Sequence, residues 1–301
     1  MGSRTVQAEV VHAAGAQLAE GPSWDPARRR LVWVDIPAGV VHLLDPASGD
    51  DRRLCVGQPV GAAVPDARGG GFALAVRDGF ARLEADGTFE VVFDLSAAGS
   101  RMNDGKCAPD GSFWAGTMRE GATADAVSSG ETPADGTLYR LAPAWAGVEP
   151  VLGGLGISNG LAWSADGRQM YFIDTATRRV DVFDAEPGTA RLANRRPVVE
   201  VPPGSGNPDG MAIDEEGCLW VALAHAGRVQ RYRPDGTPDT VVEVPVPQVT
   251  SCCFGGDRGD VLFVTTGRRG AEPQDPLAGG VFACSPGVAG PPPDPYVGEA
   301  P

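Results

Sequence analysis

The sequence predicts an all-β chain folded as one six-bladed β-propeller over residues 1–301, with a central channel. Three observations predict it. A unit made of a short apolar strand, a polar turn carrying Asp and Gly, and a second apolar strand repeats along the whole chain. Its copies recur every forty to fifty-odd residues, the length of a four-stranded blade. No stretch shows 3.6-residue periodicity with caps, so alternating β-α units are excluded. The 42 glycines and 27 prolines among 301 residues follow no collagen period and suit a chain of many tight turns.

Taken in order, Thr5–His12 is expected to be the strand that closes the ring against the last blade. Clear copies of the unit open at Asn103, Asn159 and Asp209, and weaker copies open at Glu20, Pro59 and Ser251. A third strand is expected in each blade: Val40–Leu44, Phe80–Leu83, Leu138–Leu141, Val180–Phe183, Arg228–Tyr232 and Val281–Cys284. Asp-Gly, Pro-Asp and Ser-Gly punctuate these runs, which is hairpin chemistry. Trp24, Trp114, Trp163 and Trp220 fall at matching strand positions and read as blade cores. Segments 119–136 and 267–280 are irregular and long enough to be lids. Residues 291–301 are Pro-rich and expected to be irregular, disordered or draped on the surface.

Charge narrows the partners. The formal net charge is −14, from 25 basic and 39 acidic residues. Such a surface repels phosphate backbones, so nucleic acid is not an expected partner, whereas cations are favoured. The only lysine is Lys106. No run reaches the ~18 apolar residues that span a bilayer, so no membrane partner is expected. The N-terminus shows no apolar core of a signal peptide. The six cysteines form no C-x-x-C pair and read as free thiols, which points to the cytoplasm. A closed propeller leaves no long free edge, so a monomer or weak homodimer is expected.

In a propeller the first strand of each blade lines the channel, so the residues opening each copy point at one place. They are Glu20, Pro59, Asn103, Asn159, Asp209 and Ser251, and all but Pro59 carry an oxygen donor. Glu20, Asn159 and Asp209 are each followed by Gly, which suits close backbone approach. Carboxylates gathered at one channel end repel each other unless neutralised, and a hard divalent cation takes carboxylate, amide and water ligands. Asn and Asp before Gly also serve as ordinary turn residues. Three on different blades in one register favour a site. The Gly156–Gly160 run matches G-x-S-x-G, but a nucleophile elbow needs a helix behind it and none is expected. His12, His42 and His225 have no zinc-site spacing. Cys252-Cys253 reads as packing, and Arg28-Arg29-Arg30 as a solvated turn.

These motifs carry a resemblance. Ala19-Glu-Gly-Pro22, Arg101-Met-Asn-Asp-Gly-Lys106, Gly116-Thr-Met118, Ile157-Ser-Asn-Gly160, Pro208-Asp-Gly210 and Thr250-Ser-Cys-Cys-Phe-Gly-Gly256 stand in the order of one family. The chain resembles the family of gluconolactonases, senescence marker protein (regucalcin) and luciferin-regenerating enzyme, nearest to the regucalcin-like sugar lactonases. The resemblance implies a six-bladed propeller with one divalent metal, Ca²⁺ foremost and Zn²⁺, Mn²⁺ or Mg²⁺ also compatible. It places the metal ligands at Glu20, Asn159 and Asp209, and substrate contacts at Arg101, Asn103 and Glu120. The family carries two glutamates after Gly-Thr-Met; here the second position is Gly121.

The implied activity is hydrolysis of a sugar lactone to its aldonic acid by metal polarisation of the carbonyl and an activated water. Asp209 is the first candidate for general base, since a ligand carboxylate reaches a bound water. Asp104 and Lys106 read at least as well as strand-end pairing. Two other functions stay open: a propeller esterase, organophosphatase or pathway enzyme acting on a non-sugar lactone, and a non-catalytic calcium-binding or regulatory protein.

Overall fold

A computed structural model describes residues 4–268 and 275–298. Six sheets, antiparallel apart from one added N-terminal strand, follow one another among the described residues. The inner strands of blades one to six are Ala19–Asp25, Val60–Pro65, Ser100–Cys107, Ser158–Trp163, Asn207–Ile213 and Val249–Gly255. Each touches the inner strands on either side, in an unbroken cycle that closes the ring around a channel. The third strands lie at or within two residues of their expected bounds.

An N-terminal strand closes the last blade as expected, but over a shorter span. Thr5–His12 is not one strand. Glu9–His12 pairs antiparallel with Val281–Cys284 and completes blade six, while Arg4–Gln7 runs parallel to Pro238–Glu243 as a fifth strand of blade five. The N-terminal segment therefore straddles two blades.

The apolar core is divided among six clusters, each shared by two adjacent blades. The tryptophans work across these seams rather than inside single blades. Trp114 of blade three meets Trp163 of blade four edge-on at 5.9 Å, and Trp24 of blade one stacks on Phe263 of blade six at 5.7 Å. Such contacts contribute about 0.5–1.5 kcal/mol each beyond their buried area.

Of the expected irregular tail, residues 299–301 lie outside the described residues; Pro291–Gly298 is irregular and mostly exposed, but anchored. Pro291–Pro293 cross the lower end of the channel, and Tyr296 is fully buried against Trp145. Its hydroxyl donates to the Ala142 carbonyl at 2.9 Å and accepts from the Trp145 amide at 2.7 Å. Of the second expected lid, 267–280, residues 269–274 lie outside the described residues. The first, 119–136, holds a short helix, Ala124–Ser128, capped by Thr123. That helix is fixed to blade four by Ser128, which donates to the Ala176 carbonyl, and by an Asp125–Arg178 ion pair at 3.2 Å.

Candidate functional site

A shared irregularity in the inner strands builds the site. In every blade the pairing of the first strand with the second breaks register once, near its start: Glu20/Ser23, Val60/Ala62, Met102/Gly105, Ser158/Leu161, Pro208/Met211 and Val249/Ser251. A bulge leaves residues outside the ladder and re-aims their side chains. Asn103, Asn159 and Asp209 sit inside these breaks, and Glu20 borders its own. The glycines that follow let neighbouring strands converge. A Cβ on Gly160 would lie 2.7 Å from the Asp209 carbonyl oxygen, and one on Gly210 would lie 2.0 Å from Ser251 Oγ.

Glu20, Arg101, Asn103, Asn159 and Asp209 thereby line one cavity of about 540 Å³ at the upper channel mouth, within the ~300–1,000 Å³ usual for small-molecule sites. Residues Ala122–Asp125 of the 119–136 loop form part of its wall. Three expected residues fall elsewhere. Pro59 does not line this cavity, Ser251 faces a lower chamber, and Glu120 lines a neighbouring surface hollow with Ser100. Ser251 misses because Thr250, not Ser251, occupies the break in blade six; Thr250 Oγ1 donates to the Ala19 carbonyl. Glu120 still acts on Arg101 through its charge.

The side chains are interlocked. Asn103 Nδ2 donates to Asn159 Oδ1 at 2.9 Å and to the Ser158 carbonyl at 2.8 Å, while Asn103 Oδ1 accepts from Arg101 Nη1 at 2.7 Å. Asn159 Nδ2 donates to Thr175 Oγ1, which itself donates to the Pro208 carbonyl, each at 2.8 Å. Blades three, four and five are so tied through one polar chain. Thr175, Gln17, Asn207 and Gln248 also line the cavity and went unnoticed in the sequence, and His225, noted there only for lacking zinc-site spacing, lines it too. They stand at strand ends and turns, outside the repeat positions that alignment compares. Ser158, centre of the G-x-S-x-G match, opens a strand with its hydroxyl buried against Gly116.

Electrostatically the cavity is short of positive charge. Burial, then repulsion by Asp209 and Asp104, holds the Glu20 carboxyl well above the usual carboxylate range, although the Gly21 amide and Arg101 oppose this. Burial and Asp104 do the same to Asp209. Burial pulls Arg101 below its ordinary value, against Glu20, Glu120 and Asp209. Among the described residues no three His, Cys, Asp or Glu side chains are placed to hold a metal ion. The set that converges is mixed, two carboxylates and the Asn159 amide oxygen, all hard donors. Such donors, aimed into a cavity where the carboxylates lack compensation, fit a divalent cation of the Ca²⁺ or Mg²⁺ type.

Residues 18–268 match the profile of the SMP-30/Gluconolactonase/LRE-like region. The chain belongs to that family. Among its SMP-30/gluconolactonase relatives, regucalcin of Bos taurus is 39% identical, the match covering 98% of this chain and 99% of the relative. A solved luciferin-regenerating enzyme superposes with a TM-score of 0.85 at 32% identity, over 94% of this chain and 97% of that one. A calcium-binding regucalcin of Agrobacterium tumefaciens superposes with a TM-score of 0.89 at 26% identity, over 98% and 99%.

Proposed function

We propose that this chain is a metal-dependent lactonase that opens a sugar lactone to its aldonic acid, with one divalent ion, Ca²⁺ first, held by Glu20, Asn159 and Asp209. The observation that carries the reading is the meeting of these three side chains, from three separate blades, in one cavity that a half-buried arginine also lines. Membership in a family that includes gluconolactonases supports the substrate class, and the calcium-binding relative supports the choice of ion.

When bound, a divalent ion there supplies a Lewis acid for the lactone carbonyl and lowers the pKa of a bound water. The chain's own residues do the rest. Arg101, half-buried and locked by its bonds to Asn103 and Met102, offers its remaining N–H groups to ring hydroxyls or the carbonyl in a fixed fork. Asn103 has committed both amide hydrogens, so only a lone pair of Oδ1 is left to accept from a hydroxyl. Asp209 takes the proton of the attacking water as oxygen bonds to the carbonyl carbon. The ring C–O bond then breaks, and Asp209 returns the proton to the departing alkoxide. The Ala122–Asp125 wall restricts bulk water above the reacting bond.

A pH-indicator assay with δ-gluconolactone and pentonolactones tests this. Turnover abolished by EDTA and restored by Ca²⁺ is expected. Metal binding without turnover on any aldonolactone or aryl ester would instead favour a calcium-binding or regulatory protein, a reading that the relatives' names also support.

A further inference from the structure

Below the cavity the channel narrows to a second chamber of about 110 Å³, lined by Asp104, Lys106 and Gly21 together with Pro291–Pro293. Lys106 is the one lysine among 25 basic residues. It projects from the inner strand of blade three, and its Nζ donates at 2.5 Å to the carbonyl of Met211, two residues beyond Asp209 on blade five. Asp104 lies in the same bulge as Asn103, buried, its carboxylate accepting from the Gly105 amide at 2.8 Å. Asp104 is the neighbour whose charge acts most strongly on Asp209 and also acts on Glu20. Burial raises the Asp104 carboxyl above its ordinary range, and the charge of Lys106 and the Gly105 amide oppose this.

Charges held inside a channel contribute little net stability, so fold maintenance alone is a weak reason for Asp104 and Lys106. The inner strands of these blades are already held by close main-chain approach at Gly160 and Gly210. What the pair does change is charge. With all three ionised around a cation, Glu20, Asp209 and Asp104 set three negative charges against the two positive charges of Arg101 and Lys106, which leaves one net negative charge. Without Lys106 there would be two, and without Asp104 none.

We propose that Asp104 and Lys106 act as a charge regulator of the cation site, Lys106 lowering and Asp104 raising its affinity for a divalent ion. This rests on the cation reading of the cavity above. Neither residue is a ligand; each acts through its charge on the carboxylates that are.

The two charges predict effects of opposite sign, which a merely structural pair would not give. Calorimetric titration of the full chain with Ca²⁺ should show Lys106→Met binding about tenfold tighter and Asp104→Asn about tenfold weaker. The double variant should return to within about threefold of the unsubstituted protein. Melting curves without metal establish that each variant is folded, and Lys106→Gln replaces Lys106→Met if the latter is not. Loss of affinity in both single variants, or no change in either, overturns the charge regulator while leaving the cation reading intact. An unsubstituted chain that binds none of Ca²⁺, Mg²⁺, Mn²⁺ or Zn²⁺ overturns that reading and the regulator with it.

Discussion

The Asn103 amide on blade three donates to Asn159 Oδ1 on blade four across 2.9 Å, while the Asn159 amide donates to Thr175 Oγ1 at 2.8 Å. Together these bonds fix which atom Asn159 turns toward Glu20 and Asp209. Asn159 lines the cavity with its oxygen accepting one hydrogen bond, so one lone pair remains for the proposed ion.

Asn103→Ala should therefore act through Asn159. It deletes two buried hydrogen bonds and leaves the Ser158 carbonyl unpaired, at a cost of about 1–3 kcal/mol in stability. Metal affinity should fall as well, although Asn103 is not one of the three ligands. Chemical denaturation and calorimetric titration read the two effects separately.

Removing a carboxylate should stabilise the metal-free protein. Glu20 and Asp209 are buried, and their charges repel, so Asp209→Asn relieves a desolvated charge. A gain of about 1–3 kcal/mol without metal is expected. The gain in melting temperature that Ca²⁺ gives the unsubstituted chain should then disappear. Scanning calorimetry with EDTA and with Ca²⁺ shows both.

Much of this arrangement was legible in the sequence because propeller repeats convert position into geometry. Val40–Leu44, Arg228–Tyr232 and Val281–Cys284 form strands at the bounds that turn chemistry predicts. The residues opening the copies at Glu20, Asn103, Asn159 and Asp209 meet because each blade places its bulge at the same point. What sequence reading lost lay outside the repeat. The break in blade six falls one residue earlier than alignment on the turn suggests, so Thr250 rather than Ser251 occupies it. Glu120 lies just beyond the end of its strand, Phe113–Arg119, where the chain turns away from the cavity. The N-terminal segment divides because Ala8 leaves the ladder, its amide donating to Glu243 and its side chain joining the apolar seam between blades five and six. None of these depends on local propensity; each is decided by neighbours distant in sequence.

Acidity should weaken metal binding and stabilise the metal-free form. Glu20 and Asp209 have folded-state pKa values raised above their unfolded ones. The folded protein thus holds these protons more tightly, and the two groups destabilise it as pH rises from the ordinary carboxylate value near 4 through the raised values. Protons must leave for a cation to enter, so Ca²⁺ affinity should climb over that same window. Metal titrations at a series of pH values, with the accompanying proton release, test the sign.

The Tyr296 anchor of the tail should be essential to stability. Tyr296 is fully buried between blades two and three, and its hydroxyl makes two hydrogen bonds. Tyr296→Ala should cost about 3–5 kcal/mol, as for other large aromatic truncations. Tyr296→Phe should cost about 1–3 kcal/mol for the two unpaired backbone groups. Urea unfolding of the two variants would separate packing from hydrogen bonding.

The most direct test is the metal stoichiometry of the purified chain beside Glu20→Gln, Asn159→Ala and Asp209→Asn, read by elemental analysis and calorimetric titration after removal and return of Ca²⁺. One ion per chain is expected in the unsubstituted protein, with affinity lowered at least about a hundredfold by each substitution and lactone turnover falling alongside. A variant that remains folded and still binds one ion with unchanged affinity would contradict the assignment of that ligand. Full turnover by a chain stripped of metal would contradict the account as a whole.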